Sequence, residues 1–260
     1  MHERVEHSNT RGTTPSPGRG GAAGGTPAPS SSAVVAGSTL LVERALSEGR
    51  RNFDALGRSW DLLPGVFSPA LTSSTGFYTR HLPFPQGGRF LEIGCGAGVT
   101  AVQAALSGCA GVTAVDIGPA AAANTARNAR RHGVSSRVRV VVGDVFDAVP
   151  DSGYDLVFWA IPYVAMPEGY EHPCDLTRAV FDVGHHCCRS YLAGARAVLA
   201  PRGRLFLGFG DIGYRDAMED LAAAHGWRPE LLAAERAEPD HHIEHQMFEL
   251  HDTTRTAGDA

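Results

Sequence analysis

The stretch Phe90-Leu91-Glu92-Ile93-Gly94-Cys95-Gly96-Ala97-Gly98-Val99 is an apolar run that passes into a glycine-rich turn and then into an alanine-rich segment. A strand, tight turn and helix start of this kind bring backbone N–H groups close to a ligand, and they serve nicotinamide, flavin and adenosyl cofactors alike. Two details separate those uses. Val99 stands where the dinucleotide fingerprint carries its third glycine, and Glu92 sets a carboxylate just before the turn. A pyrophosphate prefers a helix N-terminus free of nearby negative charge. A cationic or zwitterionic ligand suits Glu92 better.

From Arg89 onward, short β-branched or aliphatic runs alternate with alanine-rich runs, the rhythm of a parallel sheet with covering helices. The pattern predicts strands over 90–93, 112–116, 138–143, 154–160 and 204–208, and weaker ones over 228–235 and 242–250. It predicts helices over 99–106, 119–132, 177–199 and 216–225. Upstream, Leu41, Val42, Ala45, Leu46, Phe53, Leu56 and Trp60 follow helical spacing as far as Pro64-Gly65. Residues 1–38 are dominated by Gly, Ser, Thr, Pro and Ala and read as a disordered low-complexity tail. Residues 39–251 then form one catalytic domain, and 252–260 a frayed end.

Two acidic residues end strands on the side of the glycine turn. Asp116 follows Gly96 by 20 residues, where an open α/β sheet places an acid against ribose hydroxyls. The alternative, an N-cap for the Pro119 helix, has Gly118 and Pro119 in the way. Asp144 ends the third strand, where a carboxylate can accept from an adenine amino group or simply cap a turn.

Composition narrows the classes. The chain has 260 residues, 23 basic against 28 acidic, for a formal charge of -5. All 23 are arginine, so a Schiff-base lysine and a P-loop lysine are excluded. The balance does not suit a nucleic-acid binder, no apolar run approaches a membrane span, and residues 1–32 lack the apolar core of a secretory signal. A cytoplasmic protein is expected. Five cysteines without a CxxC pair argue for reduced thiols. No metal is expected: the run Asp240-His241-His242-Ile243-Glu244-His245 alternates like a strand, which sends its ligands to two faces. Arg127, Arg130, Arg131, Arg137 and Arg139 form a basic cluster, either a solvated face or a patch for phosphate or a partner.

The succession Leu91-Glu92-Ile93-Gly94-Cys95-Gly96-Ala97-Gly98, Ala114-Val115-Asp116-Ile117, Gly143-Asp144-Val145 and Tyr154-Asp155-Leu156-Val157-Phe158 resembles the class I S-adenosylmethionine-dependent methyltransferases. Leu63-Pro64-Gly65-Val66-Phe67-Ser68-Pro69 with Ser73-Ser74-Thr75 resembles, more narrowly, the methyltransferase small domain group, which includes release-factor glutamine and ribosomal RNA guanine methyltransferases. The resemblance implies a Rossmann-like, doubly wound α/β fold with a seven-stranded, mostly parallel sheet whose last strand is antiparallel. It implies S-adenosyl-L-methionine as cofactor, held by Glu92, Gly94, Gly96, Gly98, Asp116, Ile117, Asp144, Val145 and Ala160. Phe67 and Thr75 fold over it, or belong to an ordinary loop.

In relatives that methylate planar nitrogen, Asn-Pro-Pro-Tyr or Asn-Pro-Pro-Phe follows the fourth strand. Here the aligned residues are Ala160-Ile161-Pro162-Tyr163, and alanine has no side-chain acceptor for an amino group. Tyr163 and His172 are the candidate catalytic residues, with Glu168 and Asp211 as further candidate bases. The expected reaction is methyl transfer to a small molecule, in secondary metabolite biosynthesis, with no membrane or nucleic-acid partner and with a protein partner or homo-oligomer left open. Two alternatives stand beside it: a protein (glutamine-type) or RNA N-methyltransferase, and a fold repurposed for displacement or cyclisation or as a subunit of a hetero-complex.

Overall fold

The computed structural model describes residues 31–240 and 242–254. Its centre is a seven-stranded sheet built from β3 (Arg89–Ile93), β4 (Gly111–Asp116), β5 (Val138–Val142), β6 (Tyr154–Ala160), β9 (Leu199–Gly210), β10 (Trp227–Glu235) and β11 (His245–Asp252). The strand order is β10-β11-β9-β6-β3-β4-β5, and only β11 runs against its neighbours. This is the doubly wound arrangement expected, with the last strand antiparallel.

Alternation along each strand sorts the side chains onto two faces. Phe90, Leu156, Phe158 and Phe206 enter one core layer, with Val102 and Ala105 of α3 (Val99–Leu106) and Ala129 of α4 (Pro119–Arg131). Leu91, Ile93, Val157 and Leu205 enter the other, with Tyr191 and Leu192 of α6 (His186–Val198) and Met218 of α7 (Arg215–Ala224). Such fully buried side chains each contribute about 1.5–3 kcal/mol relative to exposure. Order therefore turns over between β3 and β6, and the C-terminal strand ends open there into a crevice.

Three expectations are corrected. The helical spacing over 40–60 belongs to two elements: α1 (Ser31–Ser47), which begins inside the stretch read as a disordered tail, and a hairpin of β1 (Asn52–Ala55) and β2 (Arg58–Asp61). Phe53 and Trp60 are seven apart, like neighbours on a helix. They lie opposite each other across the hairpin with ring centroids 6.4 Å apart. Leu56 (φ 52°) and Gly57 (φ 70°) close it with two positive φ values, as a type I′ turn requires. Residues 1–30 lie outside those described.

The helix expected over 177–199 is interrupted. A turn, α5 (Asp175–Arg178), and a strand, β8 (Phe181–Val183), come first; β8 pairs in parallel with β7 (Val164–Met166). Asp182 then accepts from the N–H groups of Cys187 (2.9 Å) and Cys188 (3.2 Å), which caps α6. At the far end, residues expected to fray are held in place: Asp252 is bound by Arg196, and Thr253 by Gly226. Residues 255–260 lie outside those described. Among the described residues, no helix is long and apolar enough to cross a membrane.

Candidate active site

The crevice at the strand ends holds a cavity of about 500 Å³. One end is made by the turn between β3 and α3. Gly96 there has φ +53°, and a Cβ on it would meet nothing within 4 Å, so its backbone faces open space. Gly98, at φ +82°, faces the protein instead: a Cβ would come within 2.8 Å of Thr125 Cα on α4, so glycine permits the close approach of α3 and α4. Gly98 is the one predicted cofactor residue that does not line the cavity. Phe67, Thr75, Glu92, Gly94, Gly96, Asp116, Ile117, Asp144, Val145 and Ala160 all line it, and so do Tyr163 and His172.

The Asp116 carboxylate accepts from Gly96 N–H (2.8 Å) on one oxygen and from Gly118 N–H (2.9 Å) on the other. It does not cap α4, whose N-cap is Gly118. It locks the glycine turn to the end of β4, and each oxygen keeps a lone pair for a ligand hydroxyl. Burial raises its pKa above the usual value, against the lowering effect of the two N–H bonds.

Glu92 is 5% exposed, and its Oε2 is a buried atom with no hydrogen-bond partner. Burial pushes its pKa up to about 8, opposed by hydrogen bonds to Thr100 and Ala101. An orphaned carboxylate oxygen beside an open glycine backbone fits the ammonium of a methionine moiety. The residues present thus fit S-adenosylmethionine. At the adenine end Ile117 stays 43% exposed, an apolar side chain left open at the end of β4.

Sequence reasoning missed the network that holds the loop before α2 (Ser74–His81) over this cavity. Asn124 and Asn128 of α4 are fully buried. Asn128 accepts from Asp61 N–H (2.9 Å) and donates to Ala97 O (2.8 Å); Asn124 accepts from Leu63 N–H and donates to Asp61 O (2.9 Å). The glycine turn and the segment leading to Phe67 are thereby joined through one helix. Two arginines of the basic cluster serve the same junction, Arg127 and Arg131 both binding Asp61. The polar asparagines at 124 and 128 on an apolar helix face were the available signal.

The acceptor end is formed by Ala160, Tyr163, the segment from Tyr170 to Val183, and α1, which contributes Ser38 and Leu41. Tyr163 packs on Phe209 at 5.6 Å, and burial raises its pKa well above the ordinary value, so its phenol stays protonated. His172 Nδ1 lies 3.0 Å from Thr177 Oγ1, and burial lowers its pKa. The other two candidate bases are elsewhere: Asp211 binds Arg236 and the N–H of Glu244, and Glu168 packs under Gly184. In the histidine-rich run the strand begins only at His245, whose Nε2 meets Asp240 Oδ2 at 2.8 Å in the interior. His241 lies outside the described residues. Among the described residues no cluster could hold a metal.

Comparisons place this geometry in a known setting. The family model described as methyltransferase small domain matches residues 60–224, more than half of the chain. The ribosomal protein uL3 glutamine methyltransferase of Bordetella pertussis is 34% identical over 129 residues, 47% of this chain and 43% of that protein. The release factor glutamine methyltransferase of Nitratidesulfovibrio vulgaris is 30% identical over 195 residues, 66% of this chain and 63% of its own length. The chain thus spans 43% and 63% of the length of these two relatives. The crystal structure of Trm5b from Pyrococcus abyssi superposes with a TM-score of 0.51 at 16% identity, over 78% of this chain and 56% of that one, a likeness of fold.

Both curated relatives are named for protein acceptors, which overturns the expected small-molecule acceptor and, with it, the link to secondary metabolism. The expectation leaned on net charge and on Ala160. Net charge describes a whole surface and not the site, and one lost side-chain acceptor does not set the size of the molecule that docks.

Proposed function

Because this chain belongs to the methyltransferase small domain family and is an S-adenosylmethionine-dependent methyltransferase, we propose that it methylates a glutamine side-chain amide of a protein of the translation apparatus, in the cytoplasm. The observation that carries this reading is the acceptor shared by two relatives, both named glutamine methyltransferases. In the bound state the cofactor supplies an electrophilic methyl group on a sulfonium. The protein's task is alignment, since a nitrogen held in line with that methyl needs little further help.

The lining of the cavity supports a role for each residue. Asp116 accepts from the ribose hydroxyls with its free lone pairs. Glu92 takes the ammonium, and the Gly94–Gly96 backbone lies along the methionine chain. Ile117, Asp144 and Val145 hold the adenine, the first by apolar contact. Phe67 and Thr75 would close the near wall, with Ala160 on the β6 side of the site. Tyr163, protonated, packs against the acceptor chain and donates to it.

The test is transfer of labelled methyl from S-adenosylmethionine to purified release factors and ribosomal proteins, followed by peptide mass spectrometry. Methyl on a glutamine is the expected result. Label confined to RNA, or no label in any protein, overturns the assignment.

A further inference from the structure

If the acceptor is an amide, the residue that borders the reacting end of β6 gives it nothing to bond to. Ala160 is exposed to the cavity and carries only a methyl group. Yet the conversion of an amide NH₂ to its N-methyl form has two requirements. The nitrogen lone pair, delocalised into the carbonyl, must be turned toward the incoming methyl, and one N–H proton must leave. A lone pair on the protein that accepts an N–H bond meets both.

The same cavity is lined by His172, whose ring is held by Thr177. Thr177, 4% exposed, sits in α5 and donates its hydroxyl proton to Cys174 O at 2.6 Å. A hydroxyl has a single proton. Toward His172 Nδ1, 3.0 Å away, Thr177 Oγ1 is therefore an acceptor, and Nδ1 carries the hydrogen. The neutral ring then has its lone pair on Nε2, the nitrogen not engaged by Thr177. Tyr170 holds the ring edge to face at 5.5 Å, which fixes its plane. We propose that His172 Nε2 accepts an N–H of the acceptor amide and receives its proton as the methyl is transferred, in place of the side-chain acceptor that Ala160 lacks.

The step balances. The nitrogen lone pair forms the N–C bond, the C–S bond breaks with its electrons passing to the sulfonium sulfur, the N–H bond breaks, and the proton moves to Nε2. The products are the N-methyl amide, the neutral thioether and an imidazolium, which then returns its proton to water. The charged groups acting on the ring are Arg178 of α5, which opposes the imidazolium, and Asp182 of β8, which favours it. Burial lowers the ring's pKa most and Arg178 adds to it, which favours the neutral ring at pH 7.

This assignment rests on the amide reading above, and the test separates the two. On the full chain, nitrogen NMR of labelled histidines is expected to show His172 as the Nδ1–H tautomer; an Nε2–H tautomer overturns the assignment without any turnover. In labelled methyl transfer to a release factor, His172→Ala should lower kcat by about 100-fold or more with cofactor affinity unchanged. In the wild type kcat should fall about tenfold per pH unit below the ring's pKa, which lies under the ordinary 6.5. His172→Gln, which keeps an acceptor that does not titrate, should retain part of the activity with a flat acid limb. Adding Ala160→Asn to His172→Ala should restore activity, also with a flat limb. A wild type that labels a protein amide while His172→Ala keeps kcat within twofold overturns this assignment alone. A wild type that labels no protein amide overturns the amide reading and this assignment with it.

Discussion

Glu92 carries the most unusual electrostatics of the site. Buried at the mouth of the glycine turn, with one oxygen unpartnered, it titrates near 8 and not near its ordinary 4.5. A cationic ammonium beside it reverses that preference, so cofactor binding at pH 7 expels a proton. Affinity should rise with pH and level off above about 8, with up to one proton released near neutrality, measured by calorimetry in buffers of different ionisation heat. Glu92→Gln should abolish the release and weaken binding by about 2 kcal/mol, roughly 30-fold. The raised pKa also acts on the free protein. Its stabilising contribution is complete below pH 4.5 and is lost as pH rises through 8, so Glu92→Gln should melt above the wild type in alkaline buffer.

The hairpin of β1 and β2 and helix α4 form one mechanical unit with the glycine turn. The buried Asn128 side chain accepts from Asp61 N–H and donates to the carbonyls of Asp61 and Ala97. Asn128→Ala leaves Asp61 N–H unpaired and takes from the carbonyls of Asp61 and Ala97 one of the two amide donors they share with Asn124, at a cost of about 2 kcal/mol. The expected loss is about 5 °C or more in Tm, with faster amide exchange at Asp61 and Leu63. An unchanged melt would show that the junction is not held by this helix. The same unit shows why helical spacing misled over 40–60. Phe53 and Trp60 satisfy a seven-residue helical repeat and also face each other across a two-residue turn. Their partner, His132 against Trp60 at 4.3 Å, arrives from the end of α4, more than 70 residues on, where local pattern gives no warning.

Across the whole molecule, the C-terminal strand is tied down at its last residue. Arg196 of α6 grips both oxygens of Asp252 at 2.9 Å and donates to the carbonyls of His225 and Gly226, so one guanidinium joins a helix, a turn and the end of β11. Burial by itself would raise the Asp252 pKa; its hydrogen bonds to Arg196 and Thr254 outweigh that and hold it at about 2. The contribution to stability is present above the unfolded value of 3.8 and is lost as pH falls toward 2. Asp252→Asn should lower stability at neutral pH and flatten its decline between pH 4 and 2, as read from urea midpoints. Identical wild-type and variant slopes there would refute it.

The order of the seven strands of the central sheet, the glycine turn, and the acids at 92, 116 and 144 were legible in the sequence. Each is local chemistry: a period of two, a run of glycines, a carboxylate where a strand stops. The tertiary structure decided what depends on partners distant in the chain. It broke the helix expected over 177–199, because the Asp182 carboxylate that begins α6 is itself held by the Tyr214 hydroxyl 32 residues later. It brought α1 to the cavity, removed Glu168 and Asp211 from it, and turned His172 by a hydroxyl that is committed elsewhere. A side chain's neighbours set its lone pairs, charge and reach, and those neighbours meet only when the sheet is assembled.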